Sequence, residues 1–178
     1  MAEDKQMSNL GFRAMAFTFK IRDFFNPRLN IVKEVGIKKG FHVLDYGCGS
    51  GSYIPAVAEL LGNSGKVYAL DVNPLAVEMV KKLAEKKQLA NVETILSDRK
   101  TGLPDDSIDV VLLYDVFHDL NNPDDVLEEL HRVLKPDGIL SLSDHHMKED
   151  KIVSNLTNRN LFKLLKKGEK TYSFTKMR

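Results

Sequence analysis

The chain is poor in cysteine and in net charge, and it has no long apolar run. A single cysteine among 178 residues excludes an intrachain disulfide framework and favours a cytoplasmic protein. The formal net charge of +1 provides no overall field for a nucleic acid or another polyanion. No apolar stretch approaches the ~20 residues of a membrane-spanning helix, and the first residues, MAEDKQ, are acidic where a signal peptide is basic. What remains is a globular chain of one domain, with 43% apolar residues for its core.

Short apolar runs alternate with segments of helical periodicity along most of the chain. The predicted strands are residues 41–46, 66–71, 91–96, 108–115 and 139–144, and the predicted helices are residues 53–62, 73–88, 123–138 and 149–157. Residues 8–35 are expected to be helical in two pieces broken near Pro27, and residues 161–176 to form a hairpin about Gly168. This alternation predicts an α/β fold, a Rossmann-like seven-stranded mixed sheet of six parallel strands and one antiparallel strand, with helices on both faces.

The loops that follow the predicted strands are the candidate site. In open α/β sheets, ligands bind beyond the carboxyl ends of the strands. The loops in that position are residues 45–53, 71–74, 97–104, 114–120 and 144–148. We expect these five loops to line one binding site.

The stretch VLDYGCGSG, residues 43–51, places three glycines between a strand and a helix. Glycines allow positive φ and close approach of another molecule to the backbone, and the free N–H groups of a following helix favour an anionic group. Asp45 adds a carboxylate two residues before the first glycine, which suits a zwitterion with an ammonium group better than a pyrophosphate. A nicotinamide dinucleotide is the alternative, but its G-x-G-x-x-G spacing fails at Ser52.

Two further acidic residues follow the next two strands. Asp71 ends the second strand, twenty residues after Gly51, where a carboxylate accepts hydrogen bonds from both hydroxyls of a ribose. Asp98 follows the third strand and is placed to accept from an exocyclic amine such as N6 of adenine. Amino acid, ribose and adenine in this order describe S-adenosylmethionine.

Four ordered blocks of the chain resemble the class I S-adenosylmethionine-dependent methyltransferases. They are VLDYGCGSG (43–51), VYALDVNP (67–74), LSDRKTGLPDDSIDVVLLYDVFHDL (96–120) and LHRVLKPDGILSLSD (130–144). Their order and spacing are similar to the small-molecule group that includes the ubiquinone/menaquinone biosynthesis methyltransferases. The resemblance implies an enzyme that takes a methyl group from S-adenosylmethionine and releases S-adenosylhomocysteine. It implies a single methyltransferase domain over residues 1–178, with a helical lid (8–35), a cofactor-binding core (40–145) and a terminal β-hairpin (161–176).

The resemblance also implies roles for individual residues. Those that it assigns to the cofactor are Asp45, Gly47, Cys48, Gly49, Gly51, Asp71, Val72, Asp98, Arg99 and Tyr114. Within this set Asp45 holds the methionine ammonium, Asp71 the ribose hydroxyls, and Asp98 the adenine amine. Tyr114 faces the transferring methyl, and it is therefore a candidate catalytic residue together with His118.

Two further residues of the glycine stretch, Cys48 and Tyr46, carry side chains with possible roles of their own. Cys48 has no histidine near it in sequence, so small size and packing explain its place better than nucleophilic chemistry. Tyr46 departs from the resembling family, where a smaller or aliphatic residue often stands. Neither residue argues against the cofactor.

Three histidines and three aspartates fall on the loops after the fourth and fifth strands. They are His118, His145, His146, Asp115, Asp119 and Asp144. They are candidates for a metal site, for a general base that deprotonates a hydroxyl or enol before methyl transfer, or for polar residues beside a cleft. We expect no metal, favour His118 as the reacting residue, and assign His145 and His146 to the substrate side.

The N-terminal segment is rich in phenylalanine. Five of the nine phenylalanines lie in residues 12–25, on a helical face interrupted by basic residues. The segment is an ordinary amphipathic helix that covers the sheet, a lid that offers Phe17 and Phe24 to an apolar substrate, or a contact with a membrane surface.

The acceptor is expected to be a small molecule, apolar or quinone-type. Residues 145–160 hold no large insertion after the fifth strand, so the space for a substrate is compact. The sequence lacks a basic stripe with interleaved aromatic residues, the pattern that would indicate a nucleic-acid partner. The alternatives are a methyltransferase that acts on protein or RNA, and a non-catalytic partner subunit that binds S-adenosylmethionine. The oligomeric state is open.

Overall fold

One seven-stranded sheet runs through the computed structural model, which describes residues 10–14, 16–18 and 28–177. The strands are β1 (His42–Tyr46), β2 (Lys66–Asp71), β3 (Val92–Leu96), β4 (Ile108–Tyr114), β5 (Leu134–Ser143), β6 (Phe162–Lys167) and β7 (Tyr172–Lys176). Their order in the sheet is β3-β2-β1-β4-β5-β7-β6. Strand β7 pairs antiparallel with β5 and β6, and the remaining pairs are parallel. The predicted sheet of six parallel strands and one antiparallel strand is confirmed.

Helices connect the strands. They are α1 (Leu29–Lys33), α2 (Ile54–Leu61), α3 (Pro74–Lys87), α4 (Pro123–Val133) and α5 (Glu149–Thr157), and residues 10–14 and 16–18 are also helical. Helix α3 begins where the side chain of Asn73 accepts a hydrogen bond from the N–H of Leu75 (2.9 Å), one residue before Pro74. None of the helices in the described part of the chain has the length and apolar content to cross a bilayer.

The two faces of the sheet bury separate apolar clusters. Successive side chains of a strand point to opposite faces. Val43 lies in a cluster with residues of α1, α2 and α3, whereas its neighbour Leu44 lies in a cluster with residues of α4 and α5. The second cluster includes Phe162 and Phe174 of the terminal hairpin, both fully buried. Helices therefore cover both faces, as predicted.

The end of α4 differs from the prediction. The sequence predicts a helix over 123–138 and a strand over 139–144, whereas α4 ends at Val133 and β5 begins at the next residue. Pro136 has no N–H for an intrahelical bond, and Leu134 is fully buried and pairs with Ile108 of β4. Because Leu134 is buried against β4, residues 134–138 belong to the strand. The prediction that the helix continues through them is wrong.

The remaining predicted bounds agree closely with the structure. Residues 66–71 and 149–157 are a strand and a helix with the predicted limits, and β6 and β7 form the expected hairpin within 161–176. The predicted break near Pro27 lies outside the described residues. Strands β1 to β5 are parallel, so their carboxyl ends meet at one edge of the sheet together with the five candidate loops.

Candidate functional site

The glycine loop (residues 45–53), which comprises the last two residues of β1 and the connection to α2, has a backbone that requires glycine. Gly47, Gly49 and Gly51 have φ of 78°, 52° and 81°, in the left-handed region. The N–H of Gly47 donates to the carbonyl of Leu70 in β2 (2.8 Å), which fixes the loop to the neighbouring strand. A Cβ on Gly47 would lie 2.6 Å from Cγ2 of Val116, whereas a Cβ on Gly49 would meet nothing within 4 Å. The loop is therefore packed on one side and open to a ligand at Gly49.

Asp45 is a buried carboxyl whose hydrogen bonding is incomplete. It lies at the end of β1 with 2% of its surface exposed, and its Oδ2 has no hydrogen-bond partner among the described residues. Burial, and then the charge of Asp71, raises the pKa of Asp45 to about 7. Buried polar atoms are almost always satisfied, so this oxygen is suited to a donor that a ligand brings, as the predicted ammonium group does.

Asp71 is held at the rim of the glycine loop by backbone donors. Its Oδ2 accepts from the N–H of Gly49 and its Oδ1 accepts from the N–H of Asn73, both at 2.8 Å. Burial raises the pKa of Asp71, although the hydrogen bonds from Asn73, Gly49 and Val72 act in the opposite direction. Three backbone N–H groups use most of the acceptor capacity of this carboxylate, which is about four lone pairs, and the remaining capacity suits a hydroxyl of a ribose.

The loop after β3 (residues 97–104), here called the adenine loop after the ligand group that the sequence predicts for it, is held by Tyr46. The Tyr46 hydroxyl donates to the carbonyl of Asp98 (3.2 Å) and lies 3.5 Å from that of Arg99. The side chain of Asp98 is exposed, and Arg99 forms an ion pair with Asp125 of α4 at 3.0 Å. Tyr46, which departs from the pattern of the resembling family, therefore positions the backbone of Asp98 and Arg99, the two predicted adenine contacts. The sequence does not predict this role.

A buried glutamate of α4 also holds the adenine loop. Oε1 of Glu129 accepts from the N–H (2.8 Å) and the hydroxyl (2.6 Å) of Thr101. Arg132 donates to both Glu129 oxygens (2.9 and 2.7 Å) and to the carbonyl of Leu103 (2.9 Å). Burial disfavours the carboxylate, but the hydrogen bonds from Arg132 and Thr101 outweigh it and lower the pKa of Glu129 to about 2. The signal in the sequence was an acidic residue at helical spacing from the buried Val126.

Tyr114, the last residue of β4, is a buried side chain next to the glycine loop. Its hydroxyl shares a hydrogen bond of 2.8 Å with Ser141, and its ring packs edge-on against Tyr53 with 4.8 Å between centroids. Burial raises the pKa of Tyr114, so the hydroxyl stays protonated. Its place at the transferring methyl remains a prediction.

Cys48 is a packed side chain of the glycine loop. It is buried, and burial raises the pKa of its thiol well above the ordinary value. A thiol in this state is a poor nucleophile, in agreement with the packing role that the sequence suggests.

The rings of three histidines lie next to one another in a row, here the histidine row (His118, His146, His145). The ring centroids of His118 and His146 are 4.3 Å apart, and those of His146 and His145 are 3.9 Å apart. A carboxylate holds each outer ring: Oδ2 of Asp144 lies 2.8 Å from Nδ1 of His118, and Oδ1 of Asp115 lies 2.7 Å from Nδ1 of His145. The structure thus joins the predicted catalytic histidine to the two that were assigned to the substrate side.

The histidine row adjoins the glycine loop through the segment after β4. Val116 packs on Gly47, and Phe117–Asp119 form a short 3₁₀ turn that carries His118. The N–H of Asp115 donates to the carbonyl of Ser143 (2.7 Å), which joins this segment to the loop after β5. Within residues 10–14, 16–18 and 28–177, no group of three or more His, Cys, Asp or Glu side chains is arranged to hold a metal ion.

Of the two phenylalanines assigned to the substrate, the structure describes one. Phe17 is 65% exposed, while Phe12 and Ala16 of the same helical segment are buried. Phe24 lies outside the described residues. A contact between Phe17 and an acceptor remains a prediction.

Comparison with known proteins places this geometry in a family. The family described as "Methyltransferase domain" matches residues 37–176. The demethylmenaquinone methyltransferase of Geobacillus sp. (strain WCH70) is 35% identical over 114 residues, which cover 62% of this chain and 48% of that protein. The ubiquinone/menaquinone biosynthesis C-methyltransferase UbiE of Pseudoalteromonas translucida (strain TAC 125) is 27% identical over 136 residues, which cover 75% of this chain and 54% of that protein.

A solved structure extends the similarity over nearly the whole chain. The crystal structure of a SAM dependent methyltransferase from Aquifex aeolicus has a TM-score of 0.76 and 30% sequence identity, and the match covers 91% of this chain and 97% of that one. In contrast, the chain spans about half the length of the curated relatives it matches.

Proposed function

The chain belongs to the methyltransferase-domain family, and on that premise we propose that it transfers the methyl group of S-adenosylmethionine to a small-molecule acceptor. The observation that carries the proposal is the buried Oδ2 of Asp45, which lacks a hydrogen-bond donor among the described residues, in a loop that is open at Gly49. A bound ammonium group satisfies that oxygen and compensates the cost of burying a carboxylate.

The residues present fit S-adenosylmethionine, the cofactor of this family. Asp45 would hold the methionine ammonium, and Asp71 would accept from the ribose hydroxyls. Val72, 40% exposed beside Asp71, offers an apolar surface for the adenine ring, and the adenine loop provides the contacts of Asp98 and Arg99. When bound, the cofactor supplies an already activated methyl group on a sulfonium.

The protein's contribution to the reaction is then mainly positioning. An acceptor held in line with the methyl group reacts without the entropic cost of encounter. For a weakly nucleophilic hydroxyl or enol, we propose that His118 takes the proton. Tyr114 keeps its hydroxyl protonated and forms part of the wall of the site.

We propose an apolar, quinone-type acceptor and a cytoplasmic reaction. The curated relatives with 35% and 27% identity are named as methyltransferases of menaquinone and ubiquinone biosynthesis. The exposed Phe17 on the N-terminal helical segment supports an apolar acceptor. Peripheral contact of this segment with a membrane is part of the same proposal, because quinone precursors partition into lipid.

Transfer from labelled S-adenosylmethionine into fractionated cell extract tests the proposal. The purified chain is incubated with a lysate of the source cell, which is then separated into organic, aqueous and acid-precipitated fractions. We expect label in the organic fraction, and no label with Asp71→Ala. Label confined to the aqueous fraction would overturn the apolar acceptor, and label in the precipitate would identify a protein or RNA methyltransferase. Binding of S-adenosylhomocysteine without any transfer would indicate a non-catalytic subunit.

A further inference from the structure

Asp144 has no role in the cofactor site, yet it is among the most completely bonded side chains of the candidate site. Its side chain is fully buried at the start of the loop after β5. Its Oδ2 accepts from the backbone N–H of His118 (3.1 Å) and bonds Nδ1 of the same residue (2.8 Å). Its Oδ1 accepts from the backbone N–H of His146 (3.0 Å). One carboxylate therefore joins the two loops and fixes both the backbone and the ring of His118.

This arrangement determines which nitrogen of His118 carries the proton. A carboxylate only accepts hydrogen bonds, so the short contact requires a proton on Nδ1. In the neutral ring, the free lone pair then lies on Nε2. The side chain of His118 is 24% exposed, so the ring is in partial contact with solvent.

The groups around Nε2 leave it available as a base. Among the described residues, the acid that contacts Nε2 is Asp119, whose Oδ2 lies 3.4 Å from it and whose side chain is 78% exposed. The carboxylate of Asp119 has no proton to donate to Nε2. After Nε2 has taken up a proton, this carboxylate stabilises the imidazolium. The ring of His146, at 4.3 Å, packs against the ring of His118 and restricts its rotation.

We infer that Asp144 is a positioning residue that fixes His118 as a general base through Nε2, and that the acceptor is a hydroxyl on an aromatic or enolic system. The inference rests on the proposed function. An amine acceptor carries its own free electron pair, whereas a phenol or enol needs to lose its proton to become a strong nucleophile. The buried carboxylate behind His118 is suited to the second case.

The atoms of this step balance without a further reactant. Nε2 of His118 takes the hydroxyl proton, and the electron pair left on the acceptor, at oxygen or at the conjugated carbon, forms the new bond to the methyl carbon. The bond between that carbon and sulfur breaks, and its electron pair stays on sulfur as a neutral thioether. For methylation at oxygen, the imidazolium returns its proton to water. For methylation at carbon, that carbon loses its hydrogen as a proton and the oxygen regains one, so one proton is released in either case.

Nitrogen NMR of the histidine rings tests the positioning role without any methyl transfer. In the full chain saturated with S-adenosylhomocysteine, we expect His118 as the tautomer protonated at Nδ1, with its signals assigned by their loss in His118→Gln. Asp144→Ala removes the acceptor from Nδ1, so the ring should lose its preference for a proton on Nδ1. A wild-type His118 protonated at Nε2, or a tautomer unchanged by Asp144→Ala, would overturn the inference even if the methyltransferase activity is confirmed.

Kinetics with acceptors of graded acidity test the chemical role. We expect Asp144→Asn and His118→Gln to lower kcat on a weakly acidic naphthol by about 10²–10⁴-fold, with an unchanged Kd for S-adenosylhomocysteine. The loss should shrink for naphthols acidic enough to ionise in water, and the acid limb of the pH profile should disappear. An equal loss for all naphthols would indicate a structural role, and methylation of amines alone would overturn the acceptor class.

A second carboxylate and histidine pair in the same loops provides the matched control. Asp115 bonds His145 at a similar distance, but the side chain of His145 is 65% exposed. Asp115 has φ of 52°, a backbone conformation that asparagine tolerates, so Asp115→Asn should fold. We expect this variant to keep the acid limb of the pH profile, with His118 still protonated at Nδ1. Thermal melting of all variants identifies misfolding, and His118→Gln remains as a test if Asp144→Asn does not fold.

Discussion

Asp45 links the stability of the ligand-free protein to pH. Burial raises its pKa to about 7, so the folded state holds the proton more tightly than the unfolded state, whose pKa is near 4. Its stabilising contribution is therefore present below about pH 4 and is lost as the pH rises through 7. The loss is on the order of 4 kcal/mol, from about three pH units at ~1.4 kcal/mol each. Urea unfolding of the ligand-free chain should show a free energy of unfolding that falls between pH 5 and pH 8.

Asp45→Asn is the control for this pH dependence. An amide does not titrate, so the variant should show a flatter profile and exceed the wild type in stability at pH 8. S-adenosylhomocysteine should bind the wild type more tightly as the pH rises from 5.5 to 7, because its ammonium favours the ionised carboxyl. A wild-type stability that rises over pH 5 to 8 would show that Asp45 is not the dominant buried acid.

Tyr46→Phe should weaken cofactor binding with little effect on the fold. The hydroxyl that is lost holds the carbonyls of Asp98 and Arg99, and a neutral hydrogen bond contributes about 0.5–1.5 kcal/mol. We expect the Kd for S-adenosylhomocysteine to rise about 2–10-fold by titration calorimetry. Tyr172→Phe in β7, at the far side of the sheet, is the matched control. Equal affinities for both variants would show that the adenine loop needs no support from Tyr46.

Part of the residue-scale site follows from the sequence, and part depends on distant contacts. Asp45 and Asp71 are recognisable because a glycine stretch and a strand end fix their positions locally. The bond from Tyr46 to the Asp98 carbonyl spans 52 residues, and the two carboxylate contacts of the histidine row span 26 and 30. Periodicity places these residues on loops at one edge, but it does not define which side chains meet there.

At the scale of elements, Glu129 joins α4 to the adenine loop. Glu129→Ala removes the acceptor from both donors of Thr101 and leaves Arg132 without its buried partner. Loss of one member of a buried charged pair costs about 3–5 kcal/mol, and Glu129 retains some solvent contact, so we expect a loss of about 2–3 kcal/mol. Urea unfolding measures the loss, and hydrogen exchange should show faster exchange for residues 97–107.

The adjacent Glu128 provides the control for Glu129. Its side chain is 63% exposed and pairs with Arg159, so Glu128→Ala should cost less than about 1 kcal/mol. The pH dependence gives a second check. Because its pKa is lowered to about 2, Glu129 contributes stability that is present above pH 4.5 and lost as the pH falls toward 2. Equal costs for the two alanine variants would contradict the role of Glu129 in the loop.

The boundary between α4 and β5 shows where element prediction fails. Strands such as residues 66–71 are predicted correctly because one local pattern defines the whole element. Residues 134–138 carry a leucine at helical spacing from α4, and local pattern extends the helix through them. The pairing of Leu134 with Ile108 makes these residues part of a strand instead. A parallel pair formed between residues 26 positions apart has no local pattern in the sequence.

At the scale of the whole molecule, the two apolar clusters cannot unfold independently. Strands β1 and β4 contribute alternate side chains to both, as Val43 and Leu44 do. Loss of either cluster would therefore leave one face of β1 and β4 without its packing and destabilise the cluster on the other face. The glycine loop and the histidine row extend from these strands or their neighbours, and the adenine loop is bonded to Tyr46 of β1. The stability of the site and of the fold should therefore be coupled.

We accordingly expect one calorimetric unfolding transition for the chain, shifted as a unit by ligand. S-adenosylhomocysteine at about 100 times its Kd adds about 2.7 kcal/mol, which for a chain of this size raises Tm by about 5–10 °C. Asp71→Ala should abolish the shift, because it removes the proposed acceptor for the ribose hydroxyls. Two transitions, with only one moved by the ligand, would instead mean that the terminal hairpin over 161–176 or the N-terminal segment unfolds separately from the cofactor-binding core.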